Sequence, residues 1–204
     1  VFIKEKLLKD TLRQAKILHE GVFNILRHID FSKKGTESSF ICELVFRRMQ
    51  SGFSACRFLL KYGYYFETFA IQRQILEQLA FALHASKGTK VENFSEPNKC
   101  ITELKSFYPK AGPLYGFLCN RTHIDKSQIG LYLDTDEDTS YAITRSLDYS
   151  LEALFYFVGL IDIYCCVFEF CFHKFYKRKK YKFITKELSV KRNRPTRKFC
   201  EEFR

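Results

Sequence analysis

Apolar residues recur every three or four positions along most of the chain, and this spacing predicts amphipathic helices. The first run covers residues 2–29, and a second extends from Thr36, a residue type that caps helix N-termini, to about Tyr62. Gly63 separates the second run from a third that ends near Ser86. Three long helices are therefore predicted in the first part of the chain.

The middle of the chain carries shorter elements. Ser95 and Pro97 predict a short helix over residues 95–107, because Pro is favoured in the first turn of a helix. A proline-bounded break at 109–113 precedes another short helix at 114–123.

Residues 124–147 show no helical period, and we expect a small hairpin around the acidic run 134–138. The run lacks the central Gly and the closing Glu of a calcium-binding loop, which favours a solvated turn. Asp148 or Ser150 is then expected to cap a long last helix that ends near Tyr176.

The last helix contains a mostly apolar stretch, residues 151–172, that is long enough to span a bilayer. An Asp in the middle of a membrane-spanning helix costs about 2.5–3.5 kcal/mol. Glu152, Asp162 and Glu169 interrupt this stretch and share one narrow stripe of the helix. The arrangement favours the central helix of a soluble bundle, so no membrane partner is expected.

The composition agrees with an all-α protein, since four Pro and nine Gly in 204 residues leave few breaks. We predict a helical bundle of four to five main helices over residues 1–176, with a small irregular insertion and a basic C-terminal arm over 177–204. The eight Cys residues show neither CxxC spacing nor a zinc-finger pattern. We expect reduced thiols in a cytoplasmic protein without a metal or another cofactor.

Positive charge is concentrated at the C-terminal end. Residues 174–204 contain 13 of the 34 Lys and Arg residues and only three of the 23 acidic residues. A nearly neutral body with a strongly basic end is typical of proteins that bind polyanions. The candidate nucleic-acid-binding residues are Lys177, Arg178, Lys179, Lys180, Lys191, Arg192, Arg194, Arg197 and Lys198.

Aromatic residues are interspersed with these basic residues. Arg contacts to phosphate and aromatic stacking on bases are the two ingredients of sequence-tolerant binding to single strands. RNA or single-stranded DNA is therefore the expected partner. A solvated basic terminus and an anchor to acidic lipid are the alternatives.

The third helix carries an arginine within a row of apolar residues, which predicts a core-facing position for Arg73. A buried Arg needs a partner. Glu77 one turn further on would supply it, as would Asp162 or Glu169 on the last helix. Arg48 has a similar position on the second helix. The two interpretations are a structural ion pair at the bundle edge and a polar pocket built from Arg48, Arg73, Glu77 and Asp162.

A second candidate site lies in residues 115–123, which contain Asn120, Arg121 and His123. His is a general acid or base near neutral pH, and Arg stabilises developing phosphate charge. Together they are the minimum for RNA cleavage in which the ribose 2′-hydroxyl is the nucleophile, with Asn120 orienting the substrate. The alternatives are a capping or core role for His123 and a thiol nucleophile pair of Cys119 with His123.

The segments YYFETFAIQRQILE (64–77) and YGFLCNRTH (115–123) resemble a bacterial helical domain family related in appearance to the HEPN (higher eukaryote and prokaryote nucleotide-binding) domains. The resemblance covers roughly residues 36–172. It implies a homodimeric ribonuclease of phage-defence or toxin type. HEPN ribonucleases typically carry Arg, often followed by Asn, four to six residues before a His. Here the order is Asn-Arg, and Arg121 lies two residues before His123.

These patterns predict a nucleic-acid-associated helical protein. In the first hypothesis it is a metal-independent ribonuclease, with His123 as the acid or base and the basic arm holding RNA. Arg121 then stabilises the phosphorane, together with Arg73 or Arg48. In the alternative it is a non-catalytic scaffold or adaptor whose basic arm recruits RNA, DNA or an acidic partner.

Overall fold

The computed structural model describes residues 2–32, 35–88, 97–123, 133–135, 140–142, 147–175 and 181–197. Within this part of the chain the predicted all-α helical bundle is confirmed. The helices are α1 (Phe2–Arg27), α2 (Glu37–Tyr62), α3 (Tyr65–Ser86), α4 (Pro97–Phe107), α5 (Ala111–Thr122) and α6 (Leu147–Phe172), and a 3₁₀ turn (His173–Phe175) follows α6. Two short strands, β1 (Leu133–Thr135) and β2 (Ser140–Ala142), precede α6.

The ends of α2 are set by its sequence, as predicted. Thr36 is the N-cap, and its side chain accepts a hydrogen bond from the Ser39 amide while the Ser39 side chain accepts one from the Thr36 amide. This reciprocal pair is a capping box. Gly63 ends the helix in the left-handed conformation, at φ 83°, which glycine adopts without steric cost.

Two predicted helix starts are wrong. Helix α5 begins at Ala111 instead of residue 114 because Pro113 falls within its first turn, where backbone N–H groups have no intrahelical acceptor. Helix α6 begins at Leu147, so neither Asp148 nor Ser150 is its N-cap. The predicted hairpin is confirmed, because β1, which contains the first two residues of the acidic run, pairs antiparallel with β2.

Helices α3 and α6 form the centre of the bundle. Helix α3 packs against α2, α4, α5 and α6, while α6 also packs against α1 and α2. Within the described residues α6 is the one helix long and apolar enough to cross a membrane, and 72% of its most apolar stretch is buried inside the bundle. This burial agrees with the predicted core helix. The seven Cys residues in the described part of the chain are free thiols, also as expected.

A histidine is buried where α1, α2 and α6 meet. The His19 side chain is 2% exposed, its ring lies 4.8 Å from that of Phe53, and its Nδ1 accepts a hydrogen bond from Arg57 Nη1 at 2.9 Å. Burial, reinforced by the positive charge of Arg57, lowers the pKa of His19 to about 4. The folded protein therefore holds His19 neutral across the range in which a histidine in the unfolded chain binds a proton.

We predict that the free energy of unfolding falls as the pH is lowered from about 6.5 to about 4, with up to about 3 kcal/mol due to His19. The sign follows because the unfolded chain takes up a proton in this window and the folded protein does not. Urea unfolding at a series of pH values measures the fall. The variant His19→Gln, which keeps an acceptor for Arg57, should show a clearly smaller fall, and equal falls would contradict the assignment.

Candidate functional site

Arg73 lies at the edge of the bundle, so the prediction of a core-facing Arg73 is wrong. About 30% of its side chain is exposed. The buried polar residue in this part of α3 is its neighbour Gln72, whose Nε2 donates to the carbonyl oxygen of Ala153 at 2.9 Å. The edge position lets the Arg73 guanidinium reach α5 and solvent at the same time.

Arg73 is fixed by two residues. Its Nε donates to Glu77 Oε1 at 3.0 Å, one helical turn away, which is the ion pair expected from the sequence. The Tyr115 hydroxyl on α5 donates to the same carboxylate oxygen at 3.2 Å. The guanidinium also lies over the Tyr115 ring, 6.0 Å from its centroid. Glu77 and Tyr115 thereby hold the guanidinium against the end of α5.

The other end of the guanidinium reaches the last residues of α5. Arg73 Nη1 donates to the Thr122 hydroxyl at 3.2 Å and lies 3.5 Å from His123 Nε2. His123 is the exposed C-cap residue of α5, with an extended backbone. The structure thus joins the two segments that the sequence singled out separately. We call Arg73, Glu77, Tyr115, Thr122 and His123 the Arg73–His123 cluster.

The electrostatics of the cluster keep its donors protonated. Partial burial alone would lower the pKa of Arg73, but its hydrogen bond to Glu77 has the opposite effect and the pKa is raised. Burial, together with a hydrogen bond involving Cys119, raises the pKa of Tyr115. The cluster therefore presents a guanidinium, held by Glu77, beside an exposed imidazole, and a guanidinium can donate hydrogen bonds to phosphate oxygens.

Arg121 is held by α6, and the arginine that approaches His123 is Arg73 instead of the predicted Arg121. Arg121 Nη2 forms an ion pair with Glu152 on α6, at 3.0 Å from Oε1, and its guanidinium lies 5.2 Å from the Phe117 ring centroid. Asn120 is exposed on α5.

The four-residue polar pocket is also wrong. Arg48 is exposed on α2 and lines a different groove, of about 460 Å³, together with Gln74 and Gln78 of α3. Asp162 is fully buried on α6 and pairs with Arg194 of the C-terminal segment instead of Arg73. Of the four predicted pocket residues, only Arg73 and Glu77 come together.

Residues 181–197 of the predicted arm pack on the bundle, where Glu169 anchors their first part. Its carboxylate accepts hydrogen bonds from the backbone amides of Lys182, Phe183 and Ile184, at 2.9, 2.8 and 3.1 Å. Phe183 and Ile184 are buried beside it. A carboxylate in this position satisfies three amides that packing removes from water.

Asp162 anchors the second part of this segment. Its Oδ1 accepts from Arg194 Nε at 2.7 Å, and its Oδ2 accepts from Arg194 Nη2 and from the Tyr108 hydroxyl. The Thr196 hydroxyl donates to Oδ1. Burial would lower the pKa of Arg194, but the hydrogen bonds to Asp162 outweigh it and raise the pKa. Arg194 is therefore a structural cation, which corrects its predicted role in binding nucleic acid.

The remaining predicted nucleic-acid-binding residues fall into two groups. Arg192 and Arg197 are exposed on the packed segment, and Lys191 Nζ donates to the carbonyl oxygen of Tyr181. Residues 177–180 and Lys198 lie outside the described residues. The described part of the segment thus presents basic side chains from a fixed backbone.

Sequence reasoning missed the partners that complete these sites. Tyr115 and Thr122 were within a segment singled out for its His, but no residue pattern showed that both would contact Arg73. Tyr108, Thr196 and the Arg194–Asp162 pair left no local signal, because they join positions far apart in the chain. No family model, curated protein or solved structure matches this chain.

Proposed function

We propose that this chain is a nucleic-acid-directed helical protein that cleaves RNA at the Arg73–His123 cluster. The observation that carries the proposal is the approach of Arg73 Nη1 to within 3.5 Å of His123 Nε2 at an exposed helix end. A cation beside an acid–base group is the arrangement that cleavage by the 2′-hydroxyl requires. The cluster takes over the role that the sequence hypothesis gave to Arg121.

The proposed reaction has one bond formed and one broken. His123 accepts the proton of the ribose 2′-hydroxyl as the 2′ oxygen attacks the adjacent phosphorus. The bond from phosphorus to the 5′ oxygen of the next nucleotide breaks, and the proton is returned to that oxygen. The products are a 2′,3′-cyclic phosphate and a 5′-hydroxyl. Arg73 stabilises the extra negative charge on the phosphorane.

The hydrogen bonds of Arg73 leave part of its guanidinium available for this role. Arg73 Nε donates to Glu77 and Nη1 donates to Thr122, whereas Nη2 forms no hydrogen bond with a described residue. Because Glu77 and Tyr115 fix the side chain, little reorganisation is needed when the phosphate arrives. Arg73 is thus positioned to donate to a phosphate oxygen next to the imidazole.

The basic C-terminal segment supports the same substrate. Lys182, Lys186 and Arg192 are exposed, and each adds positive charge that attracts a phosphate backbone. A phage-defence or toxin role, a homodimer and a cytoplasmic location follow only from the sequence and its likeness to HEPN domains, and they belong to this proposal.

We predict that His123→Ala lowers the rate of RNA cleavage by about 10²–10⁴-fold, the usual contribution of general acid–base catalysis, while RNA binding is retained. The measurement is a gel assay of end-labelled RNA, with binding followed by fluorescence anisotropy. His28→Ala, which removes an exposed histidine just after α1, is the matched control and should cleave like wild type.

Two outcomes would contradict the proposed cleavage. One is a His123→Ala protein that cleaves as fast as wild type. The other is a wild-type protein that binds RNA in a salt-dependent manner and leaves it intact. That result would instead support the adaptor alternative, in which the basic segment recruits nucleic acid and the Arg73–His123 cluster is structural.

A further inference from the structure

A groove of about 660 Å³ lies between α5, α6 and the packed C-terminal segment, and its lining contains no residue of the Arg73–His123 cluster. Its walls are mostly apolar and include Phe117, Phe155, Tyr156 and Val190. Five basic residues line it: Arg194 at the floor, and Lys110, Lys191, Arg192 and Arg197 at the rim. The volume is within the range of about 300–1,000 Å³ that is typical of small-ligand sites.

The charged groups at the floor of the groove are paired with each other, and the rim of the groove is positively charged. At the floor, the charge of Asp162 is neutralised by Arg194, and its oxygens are occupied by Arg194, Tyr108 and Thr196. At the rim, Lys110 and Arg192 are exposed and form no ion pair with any residue in the described ranges. The rim therefore attracts a negatively charged ligand. Deeper in the groove, few hydrogen-bonding groups are free to contact that ligand.

The aromatic side chains suit a flat ring. Phe117 and Tyr156 stack with their centroids 3.7 Å apart, and Phe155 stands edge-on to Tyr156 at 5.2 Å. Phe155 is 41% exposed, although an aromatic side chain of this size is more often buried. An exposed ring beside positive charge is the combination that binds a base and its phosphate without reading base identity.

We infer that this groove binds a nucleobase together with its adjoining phosphate, with the base against Phe155 and the phosphate at Lys110 and Arg192. A carboxylate on an aliphatic chain would leave the exposed ring unused. The ligand is either a free nucleotide or one unit of a single strand. The single-strand version rests on the proposed function, and the free-nucleotide version does not.

The test measures binding of two probes that the cluster cannot cleave, adenosine 5′-monophosphate by calorimetry and a fluorescent single-stranded DNA by anisotropy. Phe155→Ala and Arg192→Glu should each weaken binding by about tenfold or more, since stacking and phosphate contacts are lost separately. The matched controls are Phe58→Ala, an exposed ring on α2, and Arg13→Glu, an exposed cation on α1. Both controls should bind like wild type.

The outcomes separate the groove from the cluster. Binding of either probe that the groove variants weaken supports the inference. The probe that binds shows whether the ligand is a free nucleotide or a single strand. Binding of both probes that is unaffected by the groove variants overturns it, as does failure of wild type to bind either probe. Because DNA lacks the 2′-hydroxyl, none of these results depends on RNA cleavage, and loss of cleavage would leave the groove assignment intact.

Discussion

Replacing Asp162 with Ala is expected to lower the free energy of unfolding by about 3–5 kcal/mol, the usual cost of breaking a buried ion pair. The Asp162 side chain is 1% exposed and that of Arg194 is 12% exposed, so the guanidinium would lose its partner in a site that water barely reaches. The hydroxyls of Tyr108 and Thr196 would lose their acceptor as well. The part of the C-terminal segment around Arg194 and Thr196 should then separate from the bundle, while Glu169 still holds the part around Phe183.

Urea unfolding and limited proteolysis measure this effect. Asp10→Ala, at an exposed position on α1, is the control and should change the free energy of unfolding by less than about 0.5 kcal/mol. Asp162→Ala should also make the residues around Arg194 and Thr196 sensitive to protease before the helices unfold. A loss of less than about 1 kcal/mol with unchanged protease resistance would show that the C-terminal segment is held by other contacts.

Replacing Arg73 with Ala is expected to lower the rate of RNA cleavage by about 10²–10³-fold, as for the loss of one donor to developing negative charge. Arg48→Ala is the matched control, because both are arginines on neighbouring helices and only Arg73 contacts α5. Arg73→Lys should recover little activity, since Lys keeps the charge but not the planar fork that Glu77 and Thr122 hold.

Single-turnover cleavage rates at saturating protein separate this effect from weaker RNA binding. The Arg73 variants should melt close to wild type, because the side chain lies at the bundle edge and only a partly exposed ion pair is lost. Equal rates for Arg73→Ala and wild type would remove Arg73 from the reaction. Equal losses for Arg73→Ala and Arg48→Ala would point to a general electrostatic effect instead of the cluster.

Local rules were sufficient for most helix boundaries. Thr36 and Gly63 mark the ends of α2 because a capping side chain and a left-handed glycine each act within a few residues. The starts of α5 and α6 were misplaced because local rules allow more than one start at these places. Pro113 is compatible with any of the first-turn positions of α5, and several residues before α6 are acceptable N-caps.

It was harder to predict which side of α3 points into the core. Apolar residues surround most of this helix, so two stripes one residue apart fitted the spacing almost equally well. One placed Arg73 in the core, while the structure places Gln72 there. Gln72 can be buried at lower cost because it is uncharged, and its amide meets the Ala153 carbonyl.

The fold of the C-terminal segment was beyond sequence reasoning. Its basic residues were interpreted as an arm that binds nucleic acid, because charge patterns do not show which acidic residues will lie opposite them. The pairing of Arg194 with Asp162 depends on the chain reversing after α6, and it joins residues 32 positions apart. The same limit applied to the cluster: the spacing of Arg73 and Glu77 predicted their ion pair, whereas the contact to His123 depends on how α3 and α5 pack.

The most direct test of RNA cleavage at the Arg73–His123 cluster is an end-group analysis of two oligonucleotides of the same sequence, one of RNA and one with 2′-O-methyl groups throughout. Wild type should cleave the RNA to 2′,3′-cyclic phosphate and 5′-hydroxyl ends, and it should bind the methylated strand without cleaving it. Cleavage of both strands, or RNA products that carry 5′-phosphates, would contradict attack by the 2′-hydroxyl. RNA that is bound and remains intact would contradict the proposed enzyme itself.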